Sequence, residues 1–109
     1  MASSEHPRTR LVEALNNPVR FSIVAALAPV DPLSFRQLRD ALGLTDSALS
    51  KQISALEQAG LVTVNKSFVA KKPITHVTLS SQGELAWEQH LAALRDIAAG
   101  LPGPGDTEQ

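Results

Sequence analysis

The chain has 109 residues, a formal net charge of −1 and a hydrophobic fraction of 43%, which is enough for one compact domain. It contains no cysteine, and this excludes disulfides, thiolate metal sites and cysteine nucleophiles. Residues 1–10 lack the apolar core of a signal peptide, and no apolar run approaches the roughly 20 residues of a membrane span. The composition therefore predicts a cytoplasmic protein that makes no membrane contact.

Charge is distributed unevenly along the chain. From Arg36 to Lys72 there are six basic and three acidic residues, whereas residues 80–109 contain one basic and five acidic residues. Such an asymmetry permits a positive binding surface on a nearly neutral protein. The net charge alone therefore does not argue against a polyanionic partner.

The first predicted elements are helical. Residues 9–15 can form a short helix, and Asn17 is a suitable N-cap for a second helix that begins at Pro18. This second helix is expected to run to about Leu27. Pro29 and Pro32 then favour a loop.

A tight pair of helices follows. Ser34 and Gln37 form a capping-box pattern at the start of the first helix, and Gly43 suits the left-handed residue at its end. Thr45 is the expected cap of the next helix, which Gly60 closes. Two helices joined by so short a turn predict a helix-turn-helix.

A β-hairpin is expected next. Residues 61–64, 67–69 and 74–79 are rich in β-branched side chains, which favours strands. Residues 70–73 lie between the strands and form a polar, basic tip. Pro73 is expected to stiffen that tip.

The last predicted element is a long helix. It begins at Ser80 or Ser81, and Ser81 with Glu84 forms a second capping-box pattern. The helix is expected to extend to about Ala99 and to stop at Gly100.

Together these elements predict a mainly α fold with a small β-hairpin, that is, a winged helix-turn-helix. The domain is expected to span residues 9–99, between flexible tails at residues 1–8 and 100–109. The C-terminal tail is rich in proline and glycine, which favours disorder.

Five linked motifs resemble those of ArsR-type and MarR-type regulators, most closely their compact, stand-alone winged-helix DNA-binding family. The motifs are NPVRF (17–21), LTDSALSK (44–51), LEQAGLV (56–62), KSFV (66–69) and TLSSQG (78–83). The resemblance implies a sequence-specific transcriptional regulator that binds double-stranded DNA. The expected form is a homodimeric repressor that reads an inverted repeat.

The helix that follows Thr45 carries the expected recognition surface. Leu49, Ile53 and Leu56 are spaced to face the core, which leaves small polar residues and one lysine on the opposite side. Small polar side chains allow a helix to enter the ~12 Å major groove and to bond base edges. We therefore expect base contacts from Thr45, Ser47, Ser50, Lys51 and Ser54.

Phosphate contacts are expected from the hairpin and from the first helix of the helix-turn-helix, which usually crosses the DNA backbone. The candidate residues are Arg36, Arg39, Lys66, Lys71 and Lys72. Surface salt bridges are an equal alternative for the two arginines. Asp46 is expected to stabilise the positive N-terminus of the recognition helix.

Apolar residues on the two terminal helices favour a homodimer, because such helices pair across a two-fold axis in regulators of this kind. The expected dimerisation residues are Leu11, Val12, Leu15, Trp87, Leu91, Leu94 and Ala98. Packing within a single chain is the alternative explanation of the same pattern.

No metal, cofactor or enzymatic activity is expected. His6, His76 and His90 form no metal-ligand spacing, and no nucleophile motif or glycine-rich phosphate loop is present. Two alternatives to a simple repressor stay open. One is a winged-helix protein–protein interaction module without specific DNA binding, which the weak net charge favours. The other is a regulator with a small-molecule pocket at the dimer interface, for which the sequence contains no specific signal.

Overall fold

The structure is a computed structural model that describes residues 5–30 and 32–100. Within these residues the chain forms four α-helices and a three-stranded antiparallel sheet of order β1-β3-β2. The helices are α1 Pro18–Val30, α2 Phe35–Leu42, α3 Asp46–Gln58 and α4 Ser81–Ala98. The strands are β1 Leu33–Ser34, β2 Val62–Val69 and β3 Lys72–Leu79. This arrangement confirms the predicted winged helix-turn-helix.

The N-terminal segment differs from the expected short helix over residues 9–15. It forms two 3-10 helices, Pro7–Arg10 and Glu13–Leu15, with Leu11 and Val12 in extended conformation between them. The prediction of one helix is therefore wrong. Ordered structure also begins before the predicted boundary, since the first 3-10 helix includes a buried proline. The predicted C-terminal tail beyond Gly100 lies outside the described residues.

Contacts with α4 explain the extended conformation. The backbone N–H of Val12 donates to Nδ1 of His90 at 3.0 Å, and Nε2 of Gln89 donates to the carbonyl of Arg10 at 2.9 Å. The Arg10 guanidinium also pairs with Asp96 at 2.7 Å. The bonds of the Val12 N–H and the Arg10 carbonyl engage backbone groups that a continuous helix would have used itself.

Helix α1 begins as predicted and ends later. The side-chain oxygen of Asn17 accepts from the backbone N–H groups of Val19 and Arg20 at 2.9 and 3.0 Å, which caps the helix. The helix includes Pro29, so the loop predicted there is wrong. A proline near the end of a helix removes only one helical hydrogen bond, and its fixed φ is compatible with helix.

The helix-turn-helix is capped as the sequence predicts. Ser34 Oγ accepts from the N–H of Gln37 at 3.0 Å, and Gln37 Oε1 accepts from the N–H of Ser34 at 2.8 Å. Gly43, at φ +66°, ends α2 in the left-handed region. Thr45 Oγ1 accepts from the N–H of Ala48 at 3.1 Å and so starts α3.

The hairpin, which we call the wing, is longer and tighter than predicted. Its turn consists only of Ala70 and Lys71, at φ +51° and +68°, and Val69 pairs directly with Lys72. Two positive φ angles are typical of a two-residue turn whose twist matches that of the strands. The predicted four-residue tip is therefore wrong, because Lys72 and Pro73 belong to β3.

Strand β1 is an addition to the prediction. Leu33 and Ser34 pair with Val77 and His76 of β3, so the hairpin becomes a three-stranded sheet. A strand of two residues that directly precedes a helix cap has no period-2 pattern from which it can be predicted.

The first turn of α4 is fixed against the end of α3 and the start of β2. Ser80 is the N-cap, since its Oγ accepts from the N–H of Gly83 at 2.9 Å and donates to the carbonyl of Gly60 at 2.7 Å. The predicted Ser81–Glu84 capping box is therefore wrong. A Cβ at Gly83 would collide with the carbonyl oxygen of Leu61, so this close approach requires glycine.

Candidate nucleic-acid interface

Helix α3 presents one buried and one exposed side. Leu49, Ile53 and Leu56 are buried in the core, which confirms the predicted inward stripe. The opposite side is exposed and carries mostly small side chains. Every residue predicted to contact bases lies there: Thr45, Ser47, Ser50, Lys51 and Ser54. The Thr45 oxygen already accepts the capping bond from Ala48. The Ser47 hydroxyl contacts Thr45 Oγ1 at 3.5 Å, so the hydroxyls of Ser50 and Ser54 and the ammonium of Lys51 carry most of the free hydrogen-bonding capacity of this surface.

An arginine of α1 braces α3 from behind. Arg20 Nε donates to the carbonyl of Ala14 at 2.7 Å, and Arg20 Nη1 donates to Oε1 of Gln52 at 2.9 Å. Gln52 thus points toward the body rather than toward the exposed side of α3. The bracing role was missed from the sequence, although Arg20 lies within the NPVRF motif.

A groove separates α3 from the wing. Ser50, Ser54 and the acidic Glu57 line it on the helix side, and Val64, Lys66 and Thr75 line it on the sheet side. The exposed face of α3 and the inner face of the wing therefore form one continuous concave surface.

The wing is basic and exposed. Every residue from Asn65 to Pro73 is exposed, and Lys66, Lys71 and Lys72 form no ion pair within the described part of the chain. The sequence contains no acidic residue from position 58 to position 83. The wing therefore carries net positive charge beside α3, where Glu57 is the acidic residue that lines the groove with Lys66.

The two predicted phosphate-binding arginines of α2 differ. Arg36 is exposed and forms no ion pair among the described residues. Arg39 contacts Asp46 at 2.9 Å and Asp40 at 3.0 Å, and the hydrogen bonds with Asp46 and then Asp40 raise the pKa of its guanidinium. Asp46 thus has an arginine partner besides the helix N-terminus that it was expected to stabilise.

Helix α4 packs inward through Gly83, His90 and Ala93, all buried. The predicted apolar stripe lies beside this inward side. Leu94 is 36% exposed and Ala98 is exposed, whereas Leu91 is half-buried. Trp87, also half-buried, packs on Phe21 with ring centroids 4.9 Å apart.

The predicted dimerisation residues of the N-terminal segment differ in burial. Leu11 and Val12 are half-buried, and the backbone of Val12 is bonded to α4. Leu15 is only 2% exposed and belongs to the core of the chain. A partner subunit would therefore not find Leu15 accessible, because packing within the chain already uses it.

The histidines are placed apart. His6 accepts the N–H of Arg8 at 3.0 Å, His76 is half-buried in β3, and burial lowers the pKa of His90. Across residues 5–30 and 32–100, no three histidine or acidic side chains come close enough together to hold a metal ion. No helix in this part of the chain has the length and apolar character to cross a membrane.

The match with known proteins extends over most of the chain. The family model of the winged helix DNA-binding domain matches residues 19–98, and the chain belongs to this family. Its members are transcription regulators and not enzymes. The chain is thus a winged-helix protein of the DNA-binding, regulatory class.

Individual relatives agree with this class. A solved transcriptional regulator homologue from Pyrococcus horikoshii OT3 is 33% identical, with a TM-score of 0.76 over 81% of this chain and 87% of that one. The uncharacterized protein MJ0432 of Methanocaldococcus jannaschii is 24% identical over 83% of this chain and 98% of its own length. The heme sensor PefR of Streptococcus agalactiae, a MarR-type regulator, shares the fold at 18% identity, with a TM-score of 0.72 over 85% of this chain and 63% of that one.

Proposed function

We propose that this chain is a cytoplasmic, homodimeric transcriptional repressor that reads an inverted repeat in double-stranded DNA. The observation that carries the proposal is the exposed face of α3, where Ser47, Ser50 and Lys51 lie together beside a basic wing. Small hydroxyl side chains on a capped, core-anchored helix suit the edges of bases in the major groove. Lys51 is long enough to bond a guanine edge or a phosphate.

Phosphate contacts come mainly from the wing in this proposal. Lys66, Lys71 and Lys72 are exposed and unpaired with carboxylates among the described residues, so they are accessible to the DNA backbone. Arg36 is accessible in the same way. Arg39 contributes less, because binding a phosphate would require it to leave Asp46 and Asp40.

A mobility or anisotropy titration with random and genomic duplexes tests the function. Wild-type protein is expected to bind with an affinity that falls steeply with salt. The triple variant S47A/S50A/K51A should lose selectivity while remaining folded, since all three side chains are exposed. The matched control S81A replaces an exposed serine of α4 and should behave as wild type. If wild-type protein bound no duplex at any salt concentration, the winged-helix surface would instead serve a protein partner.

We propose that the homodimer forms through the exposed apolar stripe of α4. Leu94, Ala98 and the half-buried Leu91 share one side of this helix, and Trp87 continues it toward the N-terminus. Two copies related by a two-fold axis would cover this stripe and place two α3 helices on one side of the dimer.

Sedimentation of L94E tests the dimer. At tens of micromolar, wild-type protein should sediment as a dimer and L94E as a folded monomer. The matched control is L85E, because Leu85 is also an exposed leucine of α4 but lies nine residues away, roughly half a turn around the helix. A monomeric wild-type chain would contradict the proposed dimer.

A small-molecule effector is the last component of the proposal. A cleft of about 690 Å³ lies between the first turn of α2 and the wing. Apolar side chains such as Phe35 and Ile74 line it together with Arg36, Lys72 and His76. This mixture suits an organic anion, and an anion bound at Arg36 and Lys72 would compete with DNA phosphates.

Benzoate is a simple probe of this effector site. It is expected to weaken duplex binding by wild-type protein more than chloride does at equal ionic strength. The R36A variant should respond equally to both salts. If benzoate and chloride acted identically on wild-type protein, the cleft would not be an effector site for anions of this class.

A further inference from the structure

The end of the wing exposes two apolar side chains, of which Phe68 has no part in the functions above. Phe68 is 73% exposed and Val69 is 57% exposed, at the end of β2. They directly precede the two-residue turn, so their positions are set by the paired strands rather than by a loose loop. An exposed aromatic ring on a well-defined hairpin is free to contact a partner.

Strand register decides which way Phe68 points. Side chains alternate along β2, so Phe68 lies on the same face as Lys66, Val64 and the buried Val62. Lys66 and Val64 line the groove beside Ser50 of α3. Phe68 therefore extends the inner surface of that groove toward the tip, whereas Val69 lies on the opposite face of the wing.

The charges around Phe68 indicate what it contacts. Lys66 lies on the same face of the wing as Phe68, and Lys71 and Lys72 lie at and just beyond the turn. Glu57 of α3 lines the groove beside Lys66, but no acidic residue occurs from position 58 to position 83, so positive charge predominates at the wing. A partner must therefore offer negative charge together with an apolar surface. Duplex DNA fits both requirements, because its phosphates flank stacked base pairs whose faces become accessible when a step opens.

We infer that Phe68 inserts as an apolar wedge at a base step in the groove next to the one that α3 reads, and thereby bends the duplex. This inference rests on the proposed DNA-binding function and deepens it. Pro73 lies directly opposite Phe68 in the register, so a second rigid apolar residue stands beside it on the neighbouring strand. Apolar wedges of this kind unstack a step and kink DNA by about 20–90°.

A wedge also implies a sequence preference that involves no hydrogen bond to a base. Pyrimidine–purine steps such as TA and CA open more easily than other steps. Sites flanked by such a step should therefore bind more tightly than sites that carry a stiff A-tract at the same position.

The experiment uses the full chain and the duplex that it selects from a random-sequence pool. Bend angle is measured by gel phasing, and base unstacking by the fluorescence of 2-aminopurine placed at single positions flanking the major-groove contacts. Wild-type protein should bend the duplex and increase fluorescence at one position in each half-site. F68A should lose both signals and about 5- to 150-fold in affinity, which corresponds to the roughly 1–3 kcal/mol lost when a ring stacked on a base is truncated.

Two variants serve as matched comparisons. V69A truncates the neighbouring exposed apolar residue on the opposite face, and it should retain the bend, the fluorescence signal and the affinity. F68L keeps an apolar wedge and should retain part of the bend. Thermal unfolding should be unchanged in all three variants, since both positions are exposed.

The outcomes separate this inference from the proposed function. If wild-type protein binds the duplex and F68A binds with equal affinity, bend and fluorescence, the wedge is refuted while the DNA-binding function stands. If wild-type protein binds no duplex, both the proposed DNA-binding function and the wedge are refuted. If F68A weakens binding to phosphatidylglycerol vesicles but not to DNA, Phe68 is a membrane contact and the wedge is also refuted.

Discussion

Helix α3 and the wing form the two sides of one groove, but they are held in place differently. Three buried residues anchor α3 to the core, Thr45 caps it, and Arg20 braces it through Gln52. In the wing, every residue from Asn65 to Pro73 is exposed, and the strand pairing alone defines its shape.

This difference separates stability from binding. Substitutions that disturb the anchored body should lower the free energy of unfolding, whereas substitutions in the wing should change DNA affinity and leave stability nearly intact. The difference in anchoring also matches the proposed roles of the two regions, in which α3 contacts bases and the wing contacts phosphates. Base recognition requires a side chain held in place, whereas phosphate contacts by lysine tolerate motion.

The largest effect is expected at the junction of α4 with the body. In G83A the new methyl group would collide with the backbone carbonyl of Leu61, so the helix must shift. We expect a loss of about 3 kcal/mol or more in the free energy of unfolding, measured by urea denaturation. The matched control is G43A, which has open space but a φ of +66°, and it should lose only about 1 kcal/mol. Equal losses in the two variants would contradict the proposed collision.

The second prediction concerns the wing. In K71A/K72A, the free energy of unfolding in urea should change by less than about 0.5 kcal/mol, because both side chains are exposed. Binding should weaken for all duplex sequences, and the log–log salt slope should fall by about 0.9 for each phosphate that a lysine no longer neutralises. R8A/R95A also removes two exposed positive charges, but outside the wing, and should keep the slope. A slope that is identical in both double variants would show that the wing does not bind phosphates.

The smallest effect is a pH dependence of the body's stability. Burial lowers the pKa of His90 in the folded chain below the value of about 6.5 expected when it is unfolded. Between these two pKa values the unfolded chain binds more protons, so stability should decrease as the pH falls below about 6.5. Protonation would also oppose the bond that Nδ1 accepts from Val12.

Urea denaturation at pH 7.5 and 5.5 measures this effect. H90N keeps an acceptor but removes the titrating group, and it should lose less stability on acidification than wild type. H76N, at a half-buried histidine of β3, should behave as wild type. If the wild-type and H90N losses were equal, His90 would not be the source of the pH dependence.

The sequence predicted those elements that local signals determine. The capping box at Ser34, the left-handed Gly43 and the buried stripe of α3 all depend on residues close together in the chain. The exposed face of α3 followed from the same periodicity. Arg36 and the wing lysines were predicted as phosphate contacts from their charge and from their positions on the first helix of the helix-turn-helix and on the hairpin. In the structure they are exposed, and they form no ion pair among the described residues.

The remaining features depend on contacts between distant residues. Val12 is extended because its N–H bonds to His90, which lies 78 residues away in the chain. The two-residue turn contains Ala70 and Lys71 rather than the Asn-Gly or Asp-Gly pairs that usually indicate such turns. The exposure of Phe68 could not be predicted from the sequence either, because an aromatic residue in a strand usually indicates burial.

Selection of duplexes from a random-sequence pool tests the central claim, that α3 reads DNA sequence beside a wing that holds the backbone. We expect wild-type protein to enrich an inverted repeat with half-site centres about 10 base pairs, or a multiple of that, apart. S50A should relax the preference at one base pair of each half-site, whereas K71A/K72A should enrich the wild-type repeat at lower affinity. Enrichment of one and the same repeat, with unchanged base preference, by wild type and by folded S47A/S50A/K51A would contradict the claim.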